Sequence, residues 1–481
     1  MGKIKEQLES QTEQEALLSQ FQLMRSAHLA DSMPDLDTRR DRLRRLLTGL
    51  EALEDDFTQT ISEDFGHRSA FETANYDFTV TIGDIKHQLR NVADWMRPRR
   101  RSVPLHLLPG RARLLSQPLG VVGVISPWNF PLFLSITPVA GALAAGNRVM
   151  LKPSEFTSGT SKLLAELAAE CFETDEFTVA EGGVETGKFF AELPFDHLLF
   201  TGSTRVAREV ARAAAENLTP ITLELGGKSP AIVCPGADLK RAANRIAFGK
   251  LANAGQVCIS PDYVFVERSR LRDFIEILQT QTAKAYPSLE NNPDYTSIIT
   301  DHHYSRLNEM IEEARGQGTE VITINPAGET FAAENRKLPP TLILLPDPSL
   351  SVMQEEIFGP VLPVLSYEKL EETIEFIKGR ERPLALYIFT ESYREREQIL
   401  RETVSGGVAV NEVLYHCVCE TLPFGGVGAS GMGAYHGQTG FDTFSHLKPV
   451  FIQPRLNFDF FLMPPVTPLK RFLARIFRKM V

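Results

Sequence analysis

Apolar residues in the first hundred positions recur at the spacing of an α-helix. The clearest apolar stripe consists of Leu43, Leu46, Leu47, Leu50, Leu53 and Phe57. Residues three and four positions apart share one face of a helix, so this spacing predicts a helix that buries one side. Gly66 is a plausible end for it, because glycine readily adopts the backbone conformation that closes a helix. The pattern predicts a helical region over residues 1–100.

A different pattern begins at Gly120, where short apolar runs alternate with segments of helical periodicity. The apolar runs cover residues 121–125, 147–151, 177–180, 197–201 and 221–223. The helical segments cover residues 132–146, 158–172, 185–192 and 204–217. Strands that are apolar throughout are typical of a parallel sheet covered by helices on both faces. The pattern therefore predicts an α/β fold of the doubly wound, nucleotide-binding type.

A second α/β segment is predicted between residues 228 and 415. Its apolar runs lie at residues 231–233, 263–266, 361–365 and 384–389, with helical stretches between them.

Two other segments fit neither the strand pattern nor the helix pattern. Prolines, a glycine and dense arginine over residues 100–118 predict an exposed excursion such as a hairpin. The five glycines of residues 421–433 predict a tightly turning loop near a site.

The composition of the 481 residues is that of a globular protein with two or three domains, with 43% hydrophobic and 23% charged residues. The net charge of -10 argues against a general nucleic-acid binder. A polar N-terminus and the lack of an 18-residue apolar run predict neither a signal peptide nor a transmembrane helix. Five cysteines, an odd number, favour a reducing compartment, and we expect a cytoplasmic protein. Cys417 and Cys419 form a C-x-C motif without a second pair, so we expect thiols and no metal site.

The C-terminal tail has the pattern of a basic amphipathic helix. Its apolar positions are Leu469, Phe472, Leu473, Ile476, Phe477 and Met480. Its cations are Lys470, Arg471, Arg475, Arg478 and Lys479, and no acidic residue follows Asp459. Such a helix can lie on an anionic membrane surface. The acidic body of the protein offers a simpler docking surface, so the helix could instead cover the chain's own substrate entrance or a partner subunit.

Three side chains are candidates for covalent catalysis. Cys258 closely follows a Gly-Gln pair, and Glu224 precedes it by 34 residues. A cysteine nucleophile with a carboxylate base suits chemistry that makes a thioester and then hydrolyses it. The side-chain amide of Asn129 could donate to an oxyanion. Cysteine is also a common buried residue, and Asn129 between two prolines could simply be a turn residue.

Segments at the ends of the predicted strands favour a nucleotide cofactor. Gly202 would let the backbone approach a phosphate, and Ser203 and Thr204 can cap the helix that follows, although many helices begin this way without a ligand. Lys152 and Glu155 could hold a ribose, and this acid would repel a 2′-phosphate and favour NAD over NADP. The alternative there is an ordinary helix start with a solvated lysine.

Glu356 and Phe358 offer a carboxylate and a ring that could grip a ribose and a nicotinamide. The alternative is that this segment only begins a strand and carries acids on the surface.

Together these segments resemble the aldehyde dehydrogenase superfamily over about residues 15–455. The matching pieces, in family order, are Pro127-Trp-Asn-Phe-Pro131, Lys152-Pro-Ser-Glu155, Phe200-Thr-Gly-Ser-Thr204, Leu223-Glu-Leu-Gly-Gly-Lys228, Gly255-Gln-Val-Cys258, Glu355-Glu-Ile-Phe-Gly-Pro360 and Pro423-Phe-Gly-Gly426. Residues 63–69, 217–222, 430–437 and 440–446 look similar to the class 3 group and, within it, to the bacterial coniferyl aldehyde dehydrogenases.

The resemblance implies NAD(P)-dependent oxidation of an aldehyde to a carboxylic acid. It favours coniferyl or other aromatic aldehydes, with medium-chain or long-chain aliphatic aldehydes as the alternative. Cys258 would attack the aldehyde, Asn129 and the backbone N–H of Cys258 would hold the oxyanion, and Glu224 would activate water. The cofactor, NAD with NADP as the alternative, would contact Lys152, Glu155, Gly202, Ser203, Thr204, Trp128, Glu356 and Phe358.

The resemblance also implies a division into domains and a homodimer. We expect an NAD-binding domain (1–99 and 119–225), a catalytic domain (226–416), a bridging and oligomerisation element (100–118 and 417–455) and a C-terminal tail (456–481). The chain departs from the family pattern at Ala207, where a glycine is frequent, and at Cys417 and Cys419, near the substrate tunnel. Acyl transfer to coenzyme A and an inactive scaffold are competing hypotheses. The retained Glu224 argues against acyl transfer, because that reaction must keep water from the thioester.

Overall fold

The computed structural model describes residues 2–104, 107–455 and 463–480. The N-terminal region is helical, as predicted. It consists of α1 (Gly2–Ala30), α2 (Leu36–Ala52), α3 (Glu54–Phe65), α4 (Ala70–Glu72), a π-helical segment (Thr73–Phe78) and α5 (Thr79–Trp95). The apolar stripe belongs to two helices rather than one, because the backbone leaves the helical conformation at Leu53. The second of these helices ends at Gly66, whose φ is 78°.

The first sheet has six strands and holds the predicted nucleotide-binding pattern. They are β3 (Val121–Ile125), β4 (Arg148–Lys152), β5 (Phe177–Val179), β6 (His197–Gly202), β7 (Ile221–Leu225) and β15 (Gly431–Met432). Their order is β15-β7-β6-β3-β4-β5, and all neighbours are parallel except β15 and β7. The helices are α6 (Phe133–Ala144), α7 (Ser158–Cys171), α8 (Val184–Glu192) and α9 (Thr204–Glu216). The five predicted strands and four predicted helices of this region are confirmed. The strand order reverses between β3 and β6, and the crevice at such a reversal is a usual ligand site.

The second sheet has seven strands. They are β8 (Pro230–Val233), β9 (Tyr263–Glu267), β10 (Glu320–Thr323), β11 (Thr341–Leu344), β12 (Val361–Tyr367), β13 (Ala385–Phe389) and β14 (Gly407–Val410). Their order is β10-β11-β12-β9-β8-β13-β14, and only the β10–β11 pair is antiparallel. The helices are α10 (Leu239–Leu251), α11 (Leu271–Ala285), α12 (Asp301–Gly316), α13 (Ser351–Gln354), α14 (Leu370–Lys378) and α15 (Tyr393–Glu402). Four strands match the predicted apolar runs. The other three, β10, β11 and β14, are short and lie at or beside the sheet edges.

The predicted hairpin is present and belongs to a third, antiparallel sheet. This sheet consists of β1 (Arg99–Arg101), β2 (Arg111–Pro118) and β16 (Ser445–Ile452), and a short helix, α16 (Gly437–Thr443), precedes the last strand. Ser445 lies opposite Pro118 and Ile452 opposite Arg111, so the whole length of β2 is paired. The C-terminal segment therefore contributes to two sheets, since β15 joins the first sheet. The boundaries of the domains stay a prediction.

The predicted C-terminal helix is present as α17 (Pro468–Met480). Its start is capped by Thr467, whose hydroxyl accepts a hydrogen bond from the backbone N–H of Lys470 at 3.3 Å. Leu469 and Phe472 are 63% and 60% exposed, so the helix does not dock its apolar face on the described part of the chain. Of the places that the sequence left open for this helix, the exposure of these side chains does not support the chain's own substrate entrance, and it tests neither a partner subunit nor a membrane. Among the described residues, no helix is long and apolar enough to cross a membrane.

Candidate active site

A cavity of about 260 Å³ opens at the carboxyl ends of β3, β6 and β7, beside the reversal in strand order. Eight residues predicted to belong to the site line it: Trp128, Asn129, Gly202, Ser203, Glu224, Cys258, Glu356 and Phe358. Three other predicted residues, Lys152, Glu155 and Thr204, are not among its lining residues. The fold thus gathers both the candidate catalytic groups and most of the candidate cofactor contacts around one space.

Cys258 is held at the cavity by a strained turn after α10. Asn253, Ala254 and Gly255 all have positive φ angles, and a side chain at Gly255 would collide with the carbonyl of Gly359. Gln256 is fully buried and fixes the turn, because its side-chain amide donates to Asn253 O at 2.9 Å and to Ser297 O at 3.1 Å. The Gly-Gln pair before the cysteine therefore shapes and anchors the segment that presents the thiol.

The thiol of Cys258 lies in surroundings that favour its neutral form. Burial raises its pKa well above the usual range, and nearby Cys417, Glu356 and Glu224 act in the same direction. The thiolate is the nucleophilic form of cysteine, so a raised pKa makes the resting thiol slow to react with electrophiles at neutral pH.

Glu224 is a buried carboxyl group without a hydrogen-bond partner. It lies on β7, is 2% exposed, and neither carboxyl oxygen has a partner among the described residues. Burial raises its pKa well above the usual range for glutamate. β15 supports it from the sheet edge, with Gly431 opposite Glu224 in the strand register. An unpartnered buried acid that faces a cavity is suited to exchanging a proton with a molecule that enters.

The side-chain amide of Asn129 points at the turn that carries Cys258. Its Nδ2 donates to Gln256 O at 3.1 Å, and its second N–H remains available for a ligand. The backbone carbonyl of Asn129 accepts hydrogen bonds from Arg68 Nη1 at 3.1 Å and from Asn253 Nδ2 at 2.9 Å. Arg68 also forms a fully buried ion pair with Asp77 at 2.9 Å. The loop of Asn129 is thus anchored from both sides, as an oxyanion donor requires.

Of the two hydroxyl residues predicted to cap the helix after β6, Ser203 does so and Thr204 does not. The Ser203 hydroxyl caps α9 by accepting a hydrogen bond from Val206 N at 3.4 Å. Thr204 Oγ1 instead donates to the carbonyl of Ala429 at 3.2 Å, so this hydroxyl ties the C-terminal segment to the helix start. Gly202 and Ser203 remain at the cavity with the N-terminus of the helix, a natural place for an anion.

Lys152 and Glu155 lie at the end of β4, outside the cavity that holds Cys258. Lys152 is buried, its Nζ donates to Pro153 O at 2.6 Å, and burial lowers its pKa. Glu155 is exposed at the start of the next helical turn. They occupy the carboxyl edge of the sheet beside the crevice, where a nucleotide that extends out of the cavity would pass.

An aromatic and acidic wall lies opposite the sheet. The ring of Trp128 contacts Phe358 edge to face at a centroid distance of 5.4 Å. Glu356 has one buried carboxyl oxygen without a partner among the described residues, and burial, with Asp262 adding to it, raises its pKa to about 8. An unpaired acceptor beside an aromatic surface fits the hydroxyls of a ribose and the face of a planar ring.

Ten of the 18 residues that line the cavity were not predicted as site residues from the sequence, and those with ionisable side chains are His303, Arg306 and Tyr435. His303 contacts Trp128 edge to face at 5.3 Å, and burial lowers its pKa to about 4, so it is neutral at pH 7. Arg306 donates to the carbonyls of Glu356 at 3.2 Å and Ile357 at 2.5 Å. Tyr435 is 1% exposed, and its hydroxyl has no partner among the described residues. His303 and Arg306 lie outside the motifs recognised in the sequence, whereas Tyr435 lies within residues 430–437, a stretch that carries the class 3 resemblance but was assigned no role in the site.

The three residues that depart from the family pattern are Cys417, Cys419 and Ala207, and in the described part of the chain the structure shows no metal site or strained backbone at any of them. Cys417 and Cys419 are free thiols, and burial raises the pKa of Cys417 to about 12. Cys417 adds to the raised pKa of the Cys258 thiol. Ala207 is 1% exposed within α9 and packs in the core beneath the first sheet.

Cys258, Glu224 and Asn129 lie together at the crevice of a doubly wound fold, and this arrangement fits an oxidoreductase that oxidises aldehydes, the class that the sequence predicts. The chain belongs to the aldehyde dehydrogenase family, whose model matches residues 12–450, and it is an aldehyde dehydrogenase. It is 48% identical over 441 residues to the coniferyl aldehyde dehydrogenase of Pseudomonas sp. strain HR199, covering 91% of each chain.

Two further relatives confirm the similarity to the class 3 group and the fold. Aldehyde dehydrogenase family 3 member A2 of Rattus norvegicus is 39% identical over 435 residues, covering 90% of this chain and 88% of the relative. The substrate-bound structure of Staphylococcus aureus AldH superposes with a TM-score of 0.90 at 36% identity, covering 95% of this chain and 99% of that one.

Proposed function

We propose that this aldehyde dehydrogenase oxidises a coniferyl-type or other aromatic aldehyde to its carboxylic acid, with NAD as the cofactor and NADP as the alternative. The observation that carries the chemistry is the convergence of Cys258, Glu224 and Asn129 on one cavity. The similarity to a coniferyl aldehyde dehydrogenase at 48% identity supports the substrate class.

The chain's own residues supply a nucleophile, an oxyanion donor and a base. The Cys258 thiol gives its proton to water, and its Sγ adds to the carbonyl carbon to give a thiohemiacetal, whose oxyanion is stabilised by Asn129 Nδ2 and the backbone N–H of Cys258. A bound oxidised nicotinamide would accept the hydride that leaves this carbon. The resulting thioester is attacked by water as Glu224 takes the water's proton, and its cleavage releases the acid and frees the sulfur.

The residues of the cavity fit a nicotinamide cofactor. The unpaired oxygen of Glu356 and the rings of Phe358 and Trp128 would hold the ribose and the nicotinamide. Gly202 and Ser203 at the start of α9 would receive the phosphates. Indole-3-acetaldehyde dehydrogenase of P. syringae, in its complex with NAD+, superposes with a TM-score of 0.82 at 25% identity, covering 90% of this chain and 88% of that one. Because the acid at position 155 would repel a 2′-phosphate, we propose NAD as the preferred cofactor.

The test is a kcat/KM panel of coniferyl aldehyde, benzaldehyde and octanal with NAD and with NADP, followed by identification of the product. We expect coniferyl aldehyde with NAD to be the best pair, and the free acid rather than a coenzyme A thioester to be the product. A preference for octanal would overturn the substrate class. A Cys258→Ala variant as active as the parent would overturn the mechanism and favour a different nucleophile.

A second substrate class has specific support. The chain is 38% identical to the 4,4'-diaponeurosporen-aldehyde dehydrogenase of S. aureus over 432 residues, covering 89% of this chain and 92% of the relative. Long apolar aldehydes are therefore the alternative substrate class, and the measurement with octanal tests it.

We also propose a homodimer, with contacts from residues 100–118 and the region after 420. Light scattering of the purified chain tests this, and a monomer at working concentrations would exclude it. A cytoplasmic location stays a prediction.

A further inference from the structure

The C-terminal helix α17 carries an apolar face that the proposed oxidation of aldehydes does not use. Leu469, Phe472 and Ile476 are 63%, 60% and 40% exposed. Their spacing of three and four residues places them on one side of the helix. Large apolar side chains gathered on one exposed face usually mark a binding surface, because leaving them in water is unfavourable.

The polar side of the same helix has a single sign of charge. It carries Lys470, Arg471 and Arg475, and the sequence adds two further cations before the C-terminus and no acid after Asp459. Helices whose polar side faces water on a protein body commonly mix acids and bases, which pair along the helix. A polar side made only of cations matches a surface that is uniformly negative.

We propose that α17 binds the surface of an anionic lipid bilayer, with its apolar face at the acyl boundary and its cations against the headgroups. The rest of the chain is acidic and would be repelled, so the helix alone would make the contact. Its 13 residues span about 20 Å, less than the roughly 30 Å of a hydrocarbon core, so the helix lies flat rather than crossing.

The start of α17 is held by contacts within the chain itself. Thr467 caps the first turn, Pro468 occupies the first helical position, and Lys470 Nζ donates to Met463 O at 2.7 Å. Proline is favoured at this position because its φ is already helical. Because these contacts favour the helical conformation of the first turn, binding to lipid costs less conformational entropy there.

The test uses the full chain and cosedimentation with vesicles of phosphatidylglycerol and phosphatidylcholine in equal parts, beside vesicles of phosphatidylcholine alone. We expect binding to the mixed vesicles and little to the neutral ones. Raising the salt from about 0.1 M to about 1 M should weaken binding, because the screening length falls from about 10 Å to about 3 Å. Absence of binding to the mixed vesicles at low salt overturns the proposal.

A matched pair of variants tests the apolar face. Phe472→Ser should lower the vesicle partition coefficient by about tenfold or more, since a buried phenylalanine is worth at least that factor. Phe71→Ser removes an equally exposed ring, 63% exposed, from α4 and should leave vesicle binding unchanged. Equal binding by the parent and both variants overturns the proposal.

A second pair tests the charge. Replacing Lys470, Arg471 and Arg475 by glutamine should lower the partition coefficient by about 100-fold, at roughly fivefold for each cation near an anionic surface. The control makes the same change in net charge at exposed cations elsewhere: Lys86, Arg97 and Arg212. If the tail variants change the oligomeric state but not vesicle binding, the partner is a second copy of the chain and the lipid proposal is wrong. None of these outcomes depends on which aldehyde is oxidised.

Discussion

Replacement of Glu224 by glutamine separates the two halves of the proposed reaction. The side chain is 2% exposed and neither of its oxygens has a partner in the described part of the chain, so glutamine fits the same space without breaking a hydrogen bond seen there. The variant keeps the nucleophile and the oxyanion donor but loses the base that activates water. We therefore expect it to form the thioester normally and to hydrolyse it slowly.

The size of the effect follows from the role of the base. A positioned general base contributes about 10² to 10⁴ in rate, or about 3 to 5 kcal/mol of barrier, so turnover should fall by that factor. Stability should not fall. The pKa of Glu224 is raised in the folded state, so folding loses stability as the pH rises above the ordinary glutamate range. Neutral glutamine escapes this loss, and Tm at pH 7 should be unchanged or higher.

The assay is stopped-flow absorbance of the reduced nicotinamide. Glu224→Gln should give a burst close to one product per site followed by slow turnover, and Cys258→Ala should give no burst. For the parent, the slow step should speed up with pH through a range above the usual pKa of glutamate, and for Glu224→Gln this rise should be absent. Turnover at the parental rate, or loss of the burst together with turnover, would refute the assignment of Glu224 to thioester hydrolysis.

Three other substitutions test the walls of the cavity and their support. Asn129→Ala should lower kcat by about 10² to 10³ with little change in Tm, and an unchanged kcat in steady-state assays would contradict an oxyanion role. Arg68→Ala leaves Asp77 unpaired in the interior and should lower the unfolding free energy by about 3 to 5 kcal/mol in urea titrations, with partial recovery in the Arg68→Ala/Asp77→Ala double variant. Tyr435→Phe removes a hydroxyl that has no partner among the residues that the structure describes, so Tm should hold while kcat/KM falls by about fivefold, the worth of one hydrogen bond to the substrate. Equal kcat/KM would assign the ring to packing alone.

The parts of the fold that the sequence predicts best are those whose local pattern decides the structure. The strands of the first sheet are buried on both sides, so their apolar runs stand out between helices. The unpredicted β10 is a short edge strand with the burial pattern exposed, half-buried, half-buried, exposed, and its four residues carry no comparable run. The division of the N-terminal stripe at Leu53 depends on a single backbone conformation that no spacing reveals.

The residues of the candidate site also differ in whether a local sequence pattern reveals them. Cys258, Glu224 and Asn129 belong to compact motifs whose order along the chain could be recognised. His303, Arg306 and Tyr435 reach the same cavity from α12 and the segment before α16, and only the tertiary fold brings them there. Lys152 and Glu155 belong to a recognisable motif, yet their distance from the cavity depends on the length of β4 and the turn that follows it.

The pairing of β15 with β7 has a consequence for the order in which the enzyme is made. Gly431 and Met432 lie opposite Glu224 and Leu223, and Tyr435 follows them into the cavity wall. A ribosome has therefore produced the nucleophile, the base and the whole second sheet before the strand that closes the edge beside Glu224 emerges. Glu224 and Gly431 are 207 residues apart, so this edge of the crevice is closed by a pairing between distant parts of the chain and cannot form until residue 431 has been made.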